Sequence, residues 1–272
     1  MGTNHRLLLP VIIGLALCTA VADAAVWDRD KEKVIAERLA MEIDNGQIIW
    51  LKPLFGDAFP AIADSAGPYA RTTAIILLHG MGGHPDWPVV ISPLRQYLQA
   101  HNWSALSIQM PILKADRSPS DYGKTLREAE RRIDSAIDYL NRKHYRHVVL
   151  LGYGFGAATA IYALANDNKP AVNGLVAISI LARKFLEPGI NLTGLLEKLD
   201  IPILDIYASN DKSVVVDTAD DRRLAARRNG GVHYTQEIIA GTDHYYTGQE
   251  PLLLQQIVDW LEREINTGKD DK

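Results

Sequence analysis

The run Leu150-Leu151-Gly152-Tyr153-Gly154-Phe155-Gly156-Ala157-Ala158 decides how the rest of the chain is read. Residues 148–151 are wholly apolar and fit a buried strand. A glycine-dense turn follows, then an alanine-rich stretch of helical character reaching Ala165. A strand that meets a helix at a sharp turn is the layout of a nucleophile elbow, Gly-x-nucleophile-x-Gly. Gly152 and Gly156 supply the frame. The centre of the motif is normally serine, and here it is Gly154, which carries no nucleophilic atom.

Upstream of this turn, His79-Gly80-Met81-Gly82-Gly83 follows the short apolar strand expected over residues 73–78. Glycines after such a strand let the backbone approach a substrate closely, as in a loop that donates an N–H to an oxyanion. The blander reading is an ordinary strand-to-helix turn, and the strand before it favours the functional one. Downstream, Asp211 lies a few residues beyond the strand expected over 203–207. His244 lies between the last strand, 234–239, and the last helix, 251–265. Elbow, then Asp, then His is the chain order of a hydrolase triad. Taken alone, a loop Asp or any of the 8 histidines reads as surface polarity; the shared order argues otherwise.

Working outward, the pattern is strand–helix alternation. Helices are expected over 28–43, 89–100, 118–142 and 217–228, with strands over 47–51, 58–63, 104–109, 147–151 and 174–180. Apolar strands separated by helices argue an α/β fold: a mostly parallel sheet with helices on both faces. Residues 181–199 stand where a small lid could sit. No repeat, low-complexity tract or linker divides residues 25–272, which are expected to form a single domain.

The chain has 272 residues, of which 47% are hydrophobic, enough for one full core. Its net charge is −4 without a long basic run, which argues against a nucleic acid partner. Residues 1–24 read as a signal peptide: His5 and Arg6 begin it, residues 7–17 are apolar, and Ala22-Asp23-Ala24 offers a small-x-small cleavage site. The apolar stretch falls short of the ~20 residues that span a bilayer, so no stable membrane span is expected after cleavage. The expected location is periplasmic or secreted. Cys18 is the only cysteine, and Leu17 before it is too large for a lipidation site. The mature chain then has no disulfide, thiolate ligand or cysteine nucleophile. No metal or cofactor is expected: His144/His147 and His84/Asp86 lack the spacing of a zinc motif.

Across most of its mature length the chain resembles the α/β-hydrolase superfamily, and the run from His79 to Pro88, with Pro93-Leu94, Ser107-Ile108-Gln109-Met110-Pro111 and the modified elbow, is more specific. Within it the chain is similar to an uncharacterised family of exported bacterial α/β-hydrolase-like proteins whose elbow serine is replaced. That resemblance implies Asp211 as acid, His244 as base, and the Met81 and Phe155 backbone N–H groups as oxyanion donors. The pocket expected around the vacant nucleophile position of Gly154 includes His79, Gly80, Gly82, Gly83, His84, Trp87, Tyr153 and Tyr245.

Glycine adopts positive φ without strain, so Gly154 keeps the turn while deleting Oγ. Four accounts follow. The pocket binds a small molecule or a partner protein without covalent catalysis; this is the reading preferred from the sequence. The His244–Asp211 dyad activates water in an esterase-like hydrolysis. The dyad serves as a general base in a non-hydrolytic reaction. Or the nucleophile has moved, with Ser107, Ser179, Ser209, Ser213, Tyr153 and Tyr245 as candidates.

Overall fold

In the computed structural model the chain is described over residues 25–66, 72–167, 169–181, 186–228 and 233–265. The expected signal segment with Cys18, and residues 182–185 of the possible lid, lie outside the described residues. Among the described residues no helix is long and apolar enough to cross a membrane.

Eight strands form one sheet in the order β1-β2-β4-β3-β5-β6-β7-β8. They are β1 (Gln47–Leu51), β2 (Phe59–Asp64), β3 (Thr73–Leu78), β4 (Ser104–Ile108), β5 (His147–Tyr153), β6 (Val172–Ile178), β7 (Ile203–Asn210) and β8 (Tyr234–Asp243). β2 pairs antiparallel with both β1 and β4, and every pairing from β4 through β8 is parallel.

The continuous apolar strands bury both faces of the sheet, and alternation assigns each side chain to a layer. Ile76, Leu78, Val148, Leu150, Leu175 and Ala177 pack with α3 (Leu126–Arg142) and α4 (Phe155–Asn166). Ile75, Leu77, Val149, Leu151, Val176 and Ile178 pack with α2 (Ile91–Ala100) and α8 (Glu250–Glu264). α1 (Arg29–Glu42) covers the β1–β2 end, with Asp28 as its N-cap.

Four elements differ most from expectation. Residues 118–142 form two helices, because a 3-10 helix, Pro119–Thr125, precedes α3. A Ser118–Asp121 capping box starts it, and at Gly123 any side chain would meet the backbone of Glu187 and Pro188. β7 and β8 run to Asn210 and Asp243, further than their apolar cores indicate. Residues 192–196 form a short helix, α5, packed on α4 and on α7 (Ala219–Arg228), with Leu192 and Leu196 buried.

Parallel register places the loops of interest at one edge. Leu78 pairs with Gly152, so the His79-Gly80 loop leaves the sheet beside Tyr153-Gly154. Asn210 pairs with Asp243 after a register shift, which sets Asp211 beside His244. This carboxyl-end crevice is where open α/β sheets receive ligands.

Candidate functional site

The turn between β5 and α4 is built by its glycines. A side chain on Gly152 would meet the Ala157 backbone, and one on Gly156 would fall on the Leu78 carbonyl. Both positions therefore exclude a Cβ because the helix lies so close to β3 and β5. Gly154 is different. Its φ of 61° and ψ of −117° are a conformation that L-residues adopt only under strain. Yet the nearest atoms to a Cβ placed there are Leu181 Cδ1 at 3.4 Å, Leu181 Cγ at 3.9 Å and Gly80 Cα at 4.0 Å. The backbone has the shape of an elbow, and the space for a small side chain is open.

The dyad comes from two loops. His244 Nδ1 lies 2.7 Å from Asp211 Oδ1. Asp211 also accepts from the Lys212 N–H at 2.7 Å, and its Oδ2 accepts from the Ser179 hydroxyl at 2.5 Å. Ser179 in turn lies 2.8 Å from the Tyr246 hydroxyl. Ser179 and Tyr246 are fully buried and both have positive φ, 49° and 58°. Burial pushes the Asp211 carboxyl up, but the hydrogen bonds from His244 and Ser179 outweigh it and hold it below its ordinary value. The Tyr153 ring stacks on His244 with centroids 5.1 Å apart, and its hydroxyl donates to the His244 carbonyl at 3.0 Å. With Asp211 on Nδ1 and Tyr153 on one face, the imidazole has a fixed plane.

His79 has another task. Its Nε2 accepts from the Met110 N–H and the Gln109 amide, both at 2.9 Å. Nδ1 therefore carries the proton and donates to the Gly80 carbonyl at 2.8 Å. Burial forces its pKa down to about 3, so the ring is neutral and pins the glycine loop to the segment after β4.

A cavity of about 160 Å³ opens at this edge. Of the expected residues, Gly80, Met81, Gly83, Trp87, Tyr153, Gly154, His244 and Tyr245 line it. His79, Gly82, His84, Asp211 and Phe155 do not. His79 is buried beneath the loop, and Gly82, with φ of 71°, shapes its turn. His84 Nδ1 accepts from the Asp86 N–H, and its ring meets the edge of Trp87 at 5.4 Å, bracing that wall from behind. The Phe155 ring packs on Tyr122; its N–H is the first of α4 and has no intrahelical acceptor.

Leu181 and Lys212 also line the cavity and were not expected there. Lys212 could have been flagged, since it follows Asp211 directly. Leu181 opens the segment expected as a possible small lid, and a hydrogen bond from its N–H to the Gly154 carbonyl brings it to the cavity.

Three of the alternative hydroxyls, those of Ser179, Ser107 and Ser209, are engaged by other groups, and Ser213 lies outside the cavity lining. Ser179 stands behind Asp211, on the far side from His244. Ser107 donates to the Pro85 carbonyl, Ser209 accepts from the Gly241 N–H, and Ser213 opens a short helix, α6 (Ser213–Val216). The Asp86 carboxylate is taken by Arg95. Among the described residues there is no group of three or more metal-ligating side chains.

The fold is shared with solved esterases. Est1E from Butyrivibrio proteoclasticus superposes with a TM-score of 0.64 at 16% identity, covering 81% of this chain and 99% of that one. The Pyrococcus furiosus esterase Pf2001 gives 0.64 at 14% identity, covering 80% and 92%. XC6422 from Xanthomonas campestris, a serine hydrolase described as lacking a lid, gives 0.63 at 14% identity, covering 81% and 95%. No curated protein sequence matches the chain. By sequence it matches the family described as a protein of unknown function (DUF3530) over residues 19–130 and 114–263, nearly its whole length. The chain belongs to that uncharacterised family and has the α/β-hydrolase fold.

Proposed function

We propose that this is an exported protein whose hydrolase-like site binds a small molecule without covalent serine catalysis. The observation that carries this reading is the composition of the cavity wall. Among its described lining residues none is a serine, threonine or cysteine, and Gly154 occupies the elbow. In this reading the oxyanion donors are the Met81 and Phe155 N–H groups. A fluorophosphonate probe, which labels activated serines, tests it. The parent protein should stay unlabelled, and Gly154→Ser should be labelled if Asp211, His244 and the loop remain aligned. Stoichiometric labelling of the parent at any serine would end this reading.

A second reading is favoured by a separate observation, the buried support behind the dyad. Ser179, Tyr246 and the Lys212 N–H all fix Asp211, an investment that a passive pocket does not require. In that reading His244 takes a proton from a water over Gly154, the water attacks an ester carbonyl, and His244 returns the proton to the alcohol oxygen as the ester C–O bond breaks. Hydrolysis of p-nitrophenyl acetate should then fall by about 10²–10⁴-fold in His244→Ala, the usual worth of a positioned base. Equal rates in both proteins would exclude it.

Export rests on the apolar segment 7–17 and the Ala22-Asp23-Ala24 site. N-terminal sequencing of the periplasmic or secreted fraction should give Ala25; an intact Met1 in that fraction would contradict cleavage.

A further inference from the structure

We infer that His244 acts as a base on carbon: it removes a proton beside the carbonyl of a small uncharged ketone that carries one aromatic or apolar group, and then returns it. The inference rests on the reading that the site works without covalent attachment, and it adds a reaction and a substrate class.

A base that serves no nucleophile must act on the ligand itself. The Asp211 carboxylate accepts from Nδ1, so the proton of the neutral imidazole sits there and Nε2 keeps its lone pair. His244 lines the cavity, and among the described lining residues no serine, threonine or cysteine stands between that lone pair and a ligand. The imidazolium formed in the reaction faces Asp211, which Ser179 and the Lys212 N–H hold in place.

The surroundings of Gly154 favour carbon over water. The three atoms nearest to a Cβ built there, Leu181 Cδ1, Leu181 Cγ and Gly80 Cα, are all carbon. A water held inside a protein makes about three hydrogen bonds, whereas a ligand CH₂ group needs none. The wall formed by Met81, Trp87, Tyr153, Leu181 and Tyr245 suits an apolar or aromatic body, and a volume of about 160 Å³ suits one ring with a short chain. A carbonyl oxygen held by the oxyanion donors of the binding reading leaves its neighbouring carbon for the space over Gly154, with a C–H toward Nε2. A serine at this position would fill that space and take the lone pair.

The step balances without a co-reactant. The C–H bond breaks and Nε2 takes the proton. The C–H electron pair becomes the C=C bond of an enolate, and the carbonyl π pair moves to oxygen, where the N–H donors stabilise it. Return of the proton from Nε2 to carbon restores the ketone. In heavy water Nε2 exchanges its proton with solvent, and the net reaction replaces the α-hydrogen by deuterium.

Proton NMR of phenylacetone in heavy water with the purified protein tests this. The parent should speed the loss of the benzylic signal by about 10²-fold or more over the same buffer alone, the low end for a positioned base. His244→Gln should bring the rate back to that of buffer, and Asp211→Asn, a second variant in case the first does not fold, should do the same. Gly154→Ser should also lose exchange. A rate in His244→Gln equal to that of the parent would overturn the role of His244. Undiminished exchange in Gly154→Ser would overturn the use of the vacated space. Borohydride added with phenylacetone should leave the protein mass unchanged; a stoichiometric adduct would assign the exchange to an amine and overturn the inference. Binding of phenylacetone in saturation-transfer NMR without exchange would overturn proton abstraction and leave the ligand-binding reading standing. Absence of both binding and exchange would overturn the ketone as the ligand class, whereas fluorophosphonate labelling of the parent would end the reading on which the inference rests.

Discussion

Gly154 is the residue at which backbone and chemistry part company. Its φ and ψ suit an elbow, and glycine adopts them without the strain of about 1–3 kcal/mol that a side chain would bring. Gly154→Ser should therefore fold but lose about 1–3 kcal/mol in urea denaturation. A loss much above that would mean that the space beside Leu181 is smaller than the geometry indicates. Ser179 bears on the same site from behind. Ser179→Ala removes the hydroxyl that Asp211 Oδ2 and Tyr246 share, all of it buried, and should cost about 1.5–3 kcal/mol, the range for a hydrogen bond to a charged group. A neutral result would show that Asp211 does not depend on it.

At the scale of elements, the glycine loop after β3 is held by one histidine. His79 stays neutral in the folded chain down to about pH 3, whereas in the unfolded chain it takes up a proton near its ordinary 6.5. Between those values the unfolded state binds more protons, so stability falls as pH drops through that window, by up to roughly 1.4 kcal/mol per pH unit. His79→Gln places an acceptor near the position of Nε2 without a titrating group. Its unfolding free energy, followed from about pH 7 to about pH 4.5, should vary less steeply than that of the parent. Parallel slopes would show that other groups govern the acid limb. This arrangement was not legible in the sequence, where His79 read as a pocket residue. Its partners Gln109 and Met110 arrive from the end of β4, thirty residues later, and only the pairing of β3 with β4 brings them together. The long helix expected over 118–142 failed for a related reason. In its first turns, which are 3-10, Gly123 lies against the backbone of residues 187–188, an approach that periodicity does not report.

Across the whole molecule, buried charge clusters lock elements that are distant in sequence. Arg132 joins Glu32 of α1, Glu128 of its own helix and the Gln109 carbonyl. Arg222 of α7 pairs with Asp205 of β7, with both side chains wholly buried, and Tyr234 and Gln236 of β8 add hydrogen bonds to the same carboxylate. This second cluster fixes β7 and β8, the strands that carry Asp211 and His244. Arg222→Met leaves Asp205 buried and without its cation, and should cost about 3–5 kcal/mol. Breaking the exposed Arg223–Asp220 pair next to it with Arg223→Gln should cost less than about 1 kcal/mol. Chemical denaturation of the two variants side by side checks the contrast; similar losses would mean that the Asp205 cluster contributes no more than a surface pair.

The sequence by itself determined the fold class, the turn at Gly154 and the order of Asp211 and His244. These are local signals: apolar runs of strand length, glycines at fixed offsets, and polar residues just past strand ends. Tertiary structure decided what those residues face. Lys212 and Leu181 reach the cavity, Ser179 and Tyr246 stand behind Asp211, and His79 turns beneath its loop, because strand register sets which loop ends meet. A register is fixed by pairing between segments tens of residues apart, and a one-residue slip would reverse every side chain. No window along the chain contains that information.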